Sequence, residues 1–141
     1  ELLLRTQAQT EGLFDDDLLQ KAVQESEALL RRFQQYPLYS EMNTAFERHH
    51  EVPYQDSSPT GDVEWGFMDC LYRTDAGWVL VDFKTDELRN PRALEAAVEM
   101  YRPQLLRYCH AVEQLLGTAS RTILCFLNSE KAVEIIEVKP S

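Results

Sequence analysis

A chain of 141 residues is one domain of ordinary size, long enough to bury a core. Its formal net charge of −10 argues against nonspecific adhesion to nucleic acid or to an anionic membrane by this piece alone. It does not exclude a nucleic-acid site, because bound divalent metal reverses the local charge of a carboxylate cluster. No apolar run reaches the length of a membrane span and no signal-peptide pattern opens the chain, so a cytoplasmic location is expected. The chain opens on Glu1 rather than Met, which reads as an excised segment of something longer. Cys70, Cys109 and Cys125 are odd in number and far apart, with no CxxC, and read as core cysteines in a reducing compartment.

Residues 1–12 have an apolar start and a polar tail, the pattern of a preceding element's end plus a linker. Asp15-Asp16-Asp17 suits the positive end of a helix, and Leu18, Ala22, Leu29, Leu30 and Phe33 are expected on its buried face. Pro37 should end that helix. A shorter one is expected from Leu38 to about Phe46, with Ser40 as its cap. His49 to Tyr54 reads as a strand whose adjacent histidines face opposite sides and are solvated, so they cannot share one metal. Glu51 is a charge within that strand. Gln55 to Asp62 is polar turn chemistry, and Asp62 and Glu64 belong on the solvated side.

Gly66 to Thr85 is the stretch that carries chemistry. It reads as two apolar strands joined by the turn Thr74-Asp75-Ala76-Gly77, with Gly77 free to take a positive φ. Each strand holds an aspartate where an apolar residue is expected, Asp69 after Phe67-Met68 and Asp82 after Val79-Leu80-Val81. An ionised carboxylate in a buried strand is costly unless it is paired or coordinates a metal. The strand period of two puts Asp82 and Lys84 on one face, with Asp69 opposite. For Asp-x-Lys alone, a structural ion pair would be the better reading.

From about Arg92 the pattern turns helical, with Ala97, Tyr101, Gln104, Tyr108, Ala111 and Leu115 at steps of three and four. Gly117 is a good stop, and Pro103 either kinks the helix or opens its second half. Gln104 on that stripe needs a hydrogen-bond partner, with Tyr108 one turn away. Strands at 122–127 and 132–138 close the chain around the turn Asn128 to Lys131. The order of helix, three strands, helix, two strands gives an α/β domain with a mixed sheet and flanking helices.

Two carboxylates can hold Mg²⁺, which takes hard oxygen ligands and keeps several waters. A lysine beside them can help deprotonate water or steady charge on a phosphate, which fits phosphodiester hydrolysis. Gly66-x-x-Asp69, Val81-Asp82-Phe83-Lys84-Thr85 and Gln104-Leu105-x-x-Tyr108 together resemble the PD-(D/E)XK nuclease superfamily. More narrowly, they resemble the RecB/AddA-type nuclease domain at the C-terminus of bacterial helicase–nucleases. Glu51-Val-Pro-Tyr54 is similar to the Glu-x-Pro-aromatic strand that precedes Gly-x-x-Asp in that group.

The resemblance implies a restriction-endonuclease-like α/β core and a single nuclease-like domain over 1–141 that lacks its N-terminal part. It implies Asp69 and Asp82 as metal ligands, with the backbone carbonyl of Phe83 as a third. Lys84 is then the catalytic lysine, Gln104 and Tyr108 belong to the helical motif, and Glu51 is an accessory acid. The implied cofactor is Mg²⁺, with Mn²⁺ an alternative. The implied partners are single-stranded DNA, delivered by a helicase portion of the same chain or complex, and a partner subunit. Two departures stand out. The family's metal-binding histidine on an early helix has no counterpart, since no His precedes His49. The iron–sulfur relatives need four cysteines, so no such cluster is expected.

Overall fold

The computed structural model describes residues 2–57 and 63–139. The elements in chain order are α1 (Leu2–Thr10), α2 (Asp16–Phe33), α3 (Pro37–Asn43), β1 (Glu47–Ser57), β2 (Val63–Thr74), β3 (Gly77–Lys84), α4 (Pro91–Leu116), β4 (Arg121–Ser129) and β5 (Ala132–Glu137). The five strands form one sheet in sequence order. Neighbours are antiparallel except β3 and β4, which run parallel with α4 as the crossover between them. This is the mixed α/β architecture expected from the sequence.

Local chemistry sets the element ends. The Asp15 carboxylate accepts the Leu18 N–H at 2.9 Å and caps α2, whose first turn carries Asp16 and Asp17 and whose last turn carries Arg31 and Arg32. Asn90 caps α4 by accepting the Ala93 N–H at 2.9 Å, Pro91 takes a position where its missing N–H costs nothing, and Gly117 ends the helix at φ 66°. Pro103 lies inside α4 without dividing it. Gly77 closes the β2–β3 hairpin at φ 119°.

One face of the sheet packs Cys70, Tyr72, Val79, Val81, Ile123 and Cys125 against Phe33, Leu38 and Met42 of α2 and α3. On the other face, Leu80, Leu124 and Phe126 pack under Leu105, Tyr108 and Val112 of α4. Burying each such Leu or Phe fully contributes roughly 1.5–3 kcal/mol. Cys70 and Cys125 are free, fully buried core thiols, and Cys109 is half-buried.

Four expectations about faces and ends are corrected. Leu18 and Leu30 are 56% and 44% exposed, because the buried line of α2 runs through Leu19, Val23 and Phe33. Leu115 is exposed, because the buried line of α4 ends at Val112. Ser40 lies within α3, which starts at Pro37 behind Tyr36 and stops at Asn43. Gln55 to Ser57 extend β1 instead of turning. The expectation for Asp62, and for the side chain of Glu64, falls outside the described residues.

Candidate active site

The centre of the sheet dictates where the polar residues meet. β2 pairs with β3 from Thr74–Gly77 to Cys70–Val81, and one further step along that register sets Asp69 level with Asp82. There the Asp69 carboxylate accepts the Phe83 N–H at 2.8 Å. In a strand the N–H and C=O of one residue point to the same edge. The Phe83 carbonyl is therefore also directed toward β2, while its ring packs edge-on against Phe33 on the opposite face at 5.3 Å.

Asp82 is only 2% exposed. Its Oδ2 lies 2.7 Å from the Lys84 ammonium, whose side chain is 14% exposed, yet that oxygen has no aligned hydrogen bond. Burial raises the Asp82 carboxyl above the ordinary carboxylate range, the neighbouring Lys84 opposes this, and Asp69 adds to it. The lysine therefore compensates the buried charge incompletely.

α4 supplies the rest of the cluster. Lys84 Nζ donates to Gln104 Oε1 at 3.1 Å, Gln104 Nε2 donates to Tyr108 Oη at 2.7 Å, and Tyr108 Oη donates to the Phe67 carbonyl at 3.3 Å. The half-buried glutamine thus has hydrogen-bond partners on both sides of its amide. Burial pushes the Tyr108 phenol up to about 12, so it is a donor throughout the neutral range. Gly66 explains the start of its motif, because a Cβ there would stand 3.0 Å from the Tyr54 ring, which packs on Tyr108 at 4.9 Å between ring centres.

Glu51 is exposed, takes φ 50°, and falls between the His50–Cys70 and Val52–Met68 partners, level with Asp69. The pleat skips a step there. Met68 packs in the same cluster as Leu71, which strict alternation forbids for residues three apart. His49 and His50 are exposed, and His49 Nε2 lies 2.8 Å from Glu47 Oε1 with its ring stacked on Trp78 at 6.4 Å. Two residues of the cluster were not singled out from the sequence. Tyr101 lies under Lys84 Nζ at 4.2 Å from the ring centre, and its hydroxyl reaches Asp86 at 3.0 and 3.2 Å. Their signal was present, because Tyr101 precedes Gln104 by three and Asp86 follows Lys84 by two.

Among the described residues, no three His, Cys, Asp or Glu side chains gather as a metal cluster. The donors at hand are the Asp69 and Asp82 carboxylates, including the buried Asp82 Oδ2 without an aligned hydrogen bond, and the Phe83 carbonyl. An all-oxygen set of this kind fits a hard divalent cation that retains several waters.

The profile of the PD-(D/E)XK nuclease superfamily matches residues 2–140. The chain belongs to that superfamily. It is also similar to bacterial ATP-dependent helicase/nuclease subunits of the AddA type. That of Oceanobacillus iheyensis is 27% identical over 75% of this chain and 10% of its own length. That of Acetivibrio thermocellus is 34% identical over 79% of the chain and 10% of its length. That of Heliobacterium modesticaldum is 30% identical over 77% and 9%. This PD-(D/E)XK nuclease chain thus spans about a tenth of the length of these relatives. Divalent metals are typical of the superfamily, and the oxygen donors around Asp82 are of the right chemical kind for one.

Proposed function

We propose that this domain hydrolyses DNA phosphodiesters with Mg²⁺, as the nuclease part of a RecB/AddA-like helicase–nuclease in bacterial double-strand break repair and recombination. Mn²⁺ would substitute, and a cytoplasmic location follows from that role. The observation that carries the reading is Lys84 held between the buried Asp82 at 2.7 Å and Gln104 at 3.1 Å, with Asp69 on the next strand. Asp69, Asp82 and the Phe83 carbonyl would hold the cation. When bound, it supplies Lewis-acid polarisation of a phosphate oxygen and an acidified water.

The chain's own residues do the rest. Lys84, protonated, places a positive charge where negative charge develops on the phosphate. Gln104 fixes that ammonium through its carbonyl, and Tyr108 fixes Gln104 in turn. Glu51, on the exposed side of the Asp69 level, is the accessory acid. The substrate would be single-stranded DNA brought by the helicase part, because a domain of net charge −10 has little means of capturing phosphates by itself. A further protein of the complex would act as its partner.

The test is Mg²⁺-dependent cleavage by the full-length parent carrying Asp82→Ala or Lys84→Ala. Both should lose cleavage, and only Lys84→Ala should keep metal binding, since a protonated lysine is no ligand. Cleavage at the unaltered rate by either variant would sink the reading. A catalytically inactive fold serving DNA scanning or protein docking is the second reading. It is favoured by the lack of a third side-chain ligand among the described residues. Metal titration followed by a cleavage assay separates the two.

A further inference from the structure

We propose that Tyr101, pinned by Asp86, is a positioning residue for the Lys84 ammonium. What that ammonium does rests on the nuclease function proposed above; where it is held does not. Lysine is a compact charge on a flexible four-carbon stem, so its place must be imposed by neighbours. Three neighbours surround Nζ: Asp82 Oδ2 at 2.7 Å, Gln104 Oε1 at 3.1 Å, and the Tyr101 ring with its centre at 4.2 Å. Asp82 is the partner for which a cation would compete. Gln104 and Tyr101 hold the ammonium without using that carboxylate.

The Tyr101 ring is itself fixed. Its hydroxyl donates to Asp86, with both carboxylate oxygens in reach at 3.0 and 3.2 Å, and its ring meets Phe126 at 6.2 Å between centres. A phenol donating to a carboxylate gains electron density on its ring face, which strengthens attraction for a cation above it. Asp86 lies two residues beyond Lys84, so the segment that leaves β3 carries both the lysine and the anchor of the ring that steadies it. The plane of Tyr101 comes from α4, on the turn before Gln104.

The test uses the 141-residue chain and, for activity, the full-length parent. Proton NMR of Lys84 should show its ε-methylene shifted upfield by the ring current of Tyr101. The shift should vanish in Tyr101→Leu and be partly lost in both Tyr101→Phe and Asp86→Asn, which keep the ring and its packing but remove or weaken the hydrogen bond that pins it. Cleavage should follow the same order: an intermediate loss for Tyr101→Phe and Asp86→Asn, and roughly 5- to 30-fold lower kcat for Tyr101→Leu with the DNA KM unchanged. An ε-methylene at its ordinary position in the wild type, or a shift surviving in Tyr101→Leu, overturns the positioning role. If the ring-current pattern holds and even the unaltered parent fails to cleave, the positioning role stands and the nuclease function falls.

Discussion

Lys84→Met removes the ammonium and keeps the apolar stem, which leaves Asp82 as an unpaired carboxylate 2% exposed. Breaking a buried pair from one side costs about 3–5 kcal/mol. Protonation of Asp82 limits that cost. Neutralising a carboxyl of ordinary pKa takes about 1.36 kcal/mol per pH unit, hence roughly 4 kcal/mol at pH 7 and about 1.5 kcal/mol at pH 5. Burial already holds Asp82 above its ordinary value, so both figures are upper limits. A carboxyl raised in the folded state contributes its full stability while protonated and loses it as pH climbs through the folded value. The destabilisation by Lys84→Met should therefore grow with pH. At about 3–4 °C per kcal/mol for a domain of this size, the fall in Tm should be no more than about 16 °C at pH 7 and no more than about 6 °C at pH 5.

Asp82→Asn should behave differently. It removes the more deeply buried charge and leaves Lys84 with Gln104, the Tyr101 ring and partial access to water. Its stability at pH 7 should stay within about 1 kcal/mol of wild type. Thermal and urea unfolding with EDTA at both pH values measure all of this. A divalent cation added back should raise the Tm of Lys84→Met and not that of Asp82→Asn, since ligands stabilise only a state that binds them. Equal damage by the two substitutions, or a Lys84→Met penalty indifferent to pH, would show that the pair is scaffolding.

Gly66→Ala should cost about 1–3 kcal/mol by overpacking and also slow cleavage, because the new methyl presses on Tyr54 and through it on Tyr108; Tm and cleavage rate on one preparation check both. Burial pushes the Cys70 thiol up to about 11 and that of Cys125 to about 12, so neither should be alkylated in the native chain at pH 8. Cys109, half-buried, should label first, and all three should label in urea, as read by mass spectrometry.

Much of the fold was legible because its signals are local. Asp15 before an apolar stripe, Asn90-Pro91 before another, Gly117 after it, and Gly77 in a hairpin each act within one turn of chain. The errors arose where tertiary packing chooses among similar residues. Leu18 and Leu19 are equally apolar, and only the placement of α2 on the sheet decides that Leu19 is buried. Leu115 carries the right period, but the buried line of α4 ends at Val112. Gln55 to Ser57 have turn composition, yet the long β1–β2 ribbon recruits them through pairing with Val63 to Trp65.

The cluster was legible for a different reason, and partly by a rule that fails locally. Asp82 and Lys84 share a face by the period of two, and Gln104 and Tyr108 share one by the helical turn; both hold at 2.7 Å contacts. Asp69 does not follow so simply. Alternation along β2 is broken between Met68 and Leu71, where Glu51 in β1 takes a left-handed backbone at the same level. A non-glycine residue in that region costs of order 1–3 kcal/mol and persists only where its surroundings impose it. Here the distortion coincides with the point where the β2–β3 ladder stops and Asp69, not a backbone carbonyl of β2, takes the Phe83 N–H. A regular ladder would have used that donor itself and left the carboxylate unanchored. The irregularity at Glu51 and Asp69 thus coincides with the anchoring of the Asp69 carboxylate on the backbone N–H that follows Asp82. No periodicity in the sequence could reveal this, because it is set by the pairing of three strands and not by any one of them.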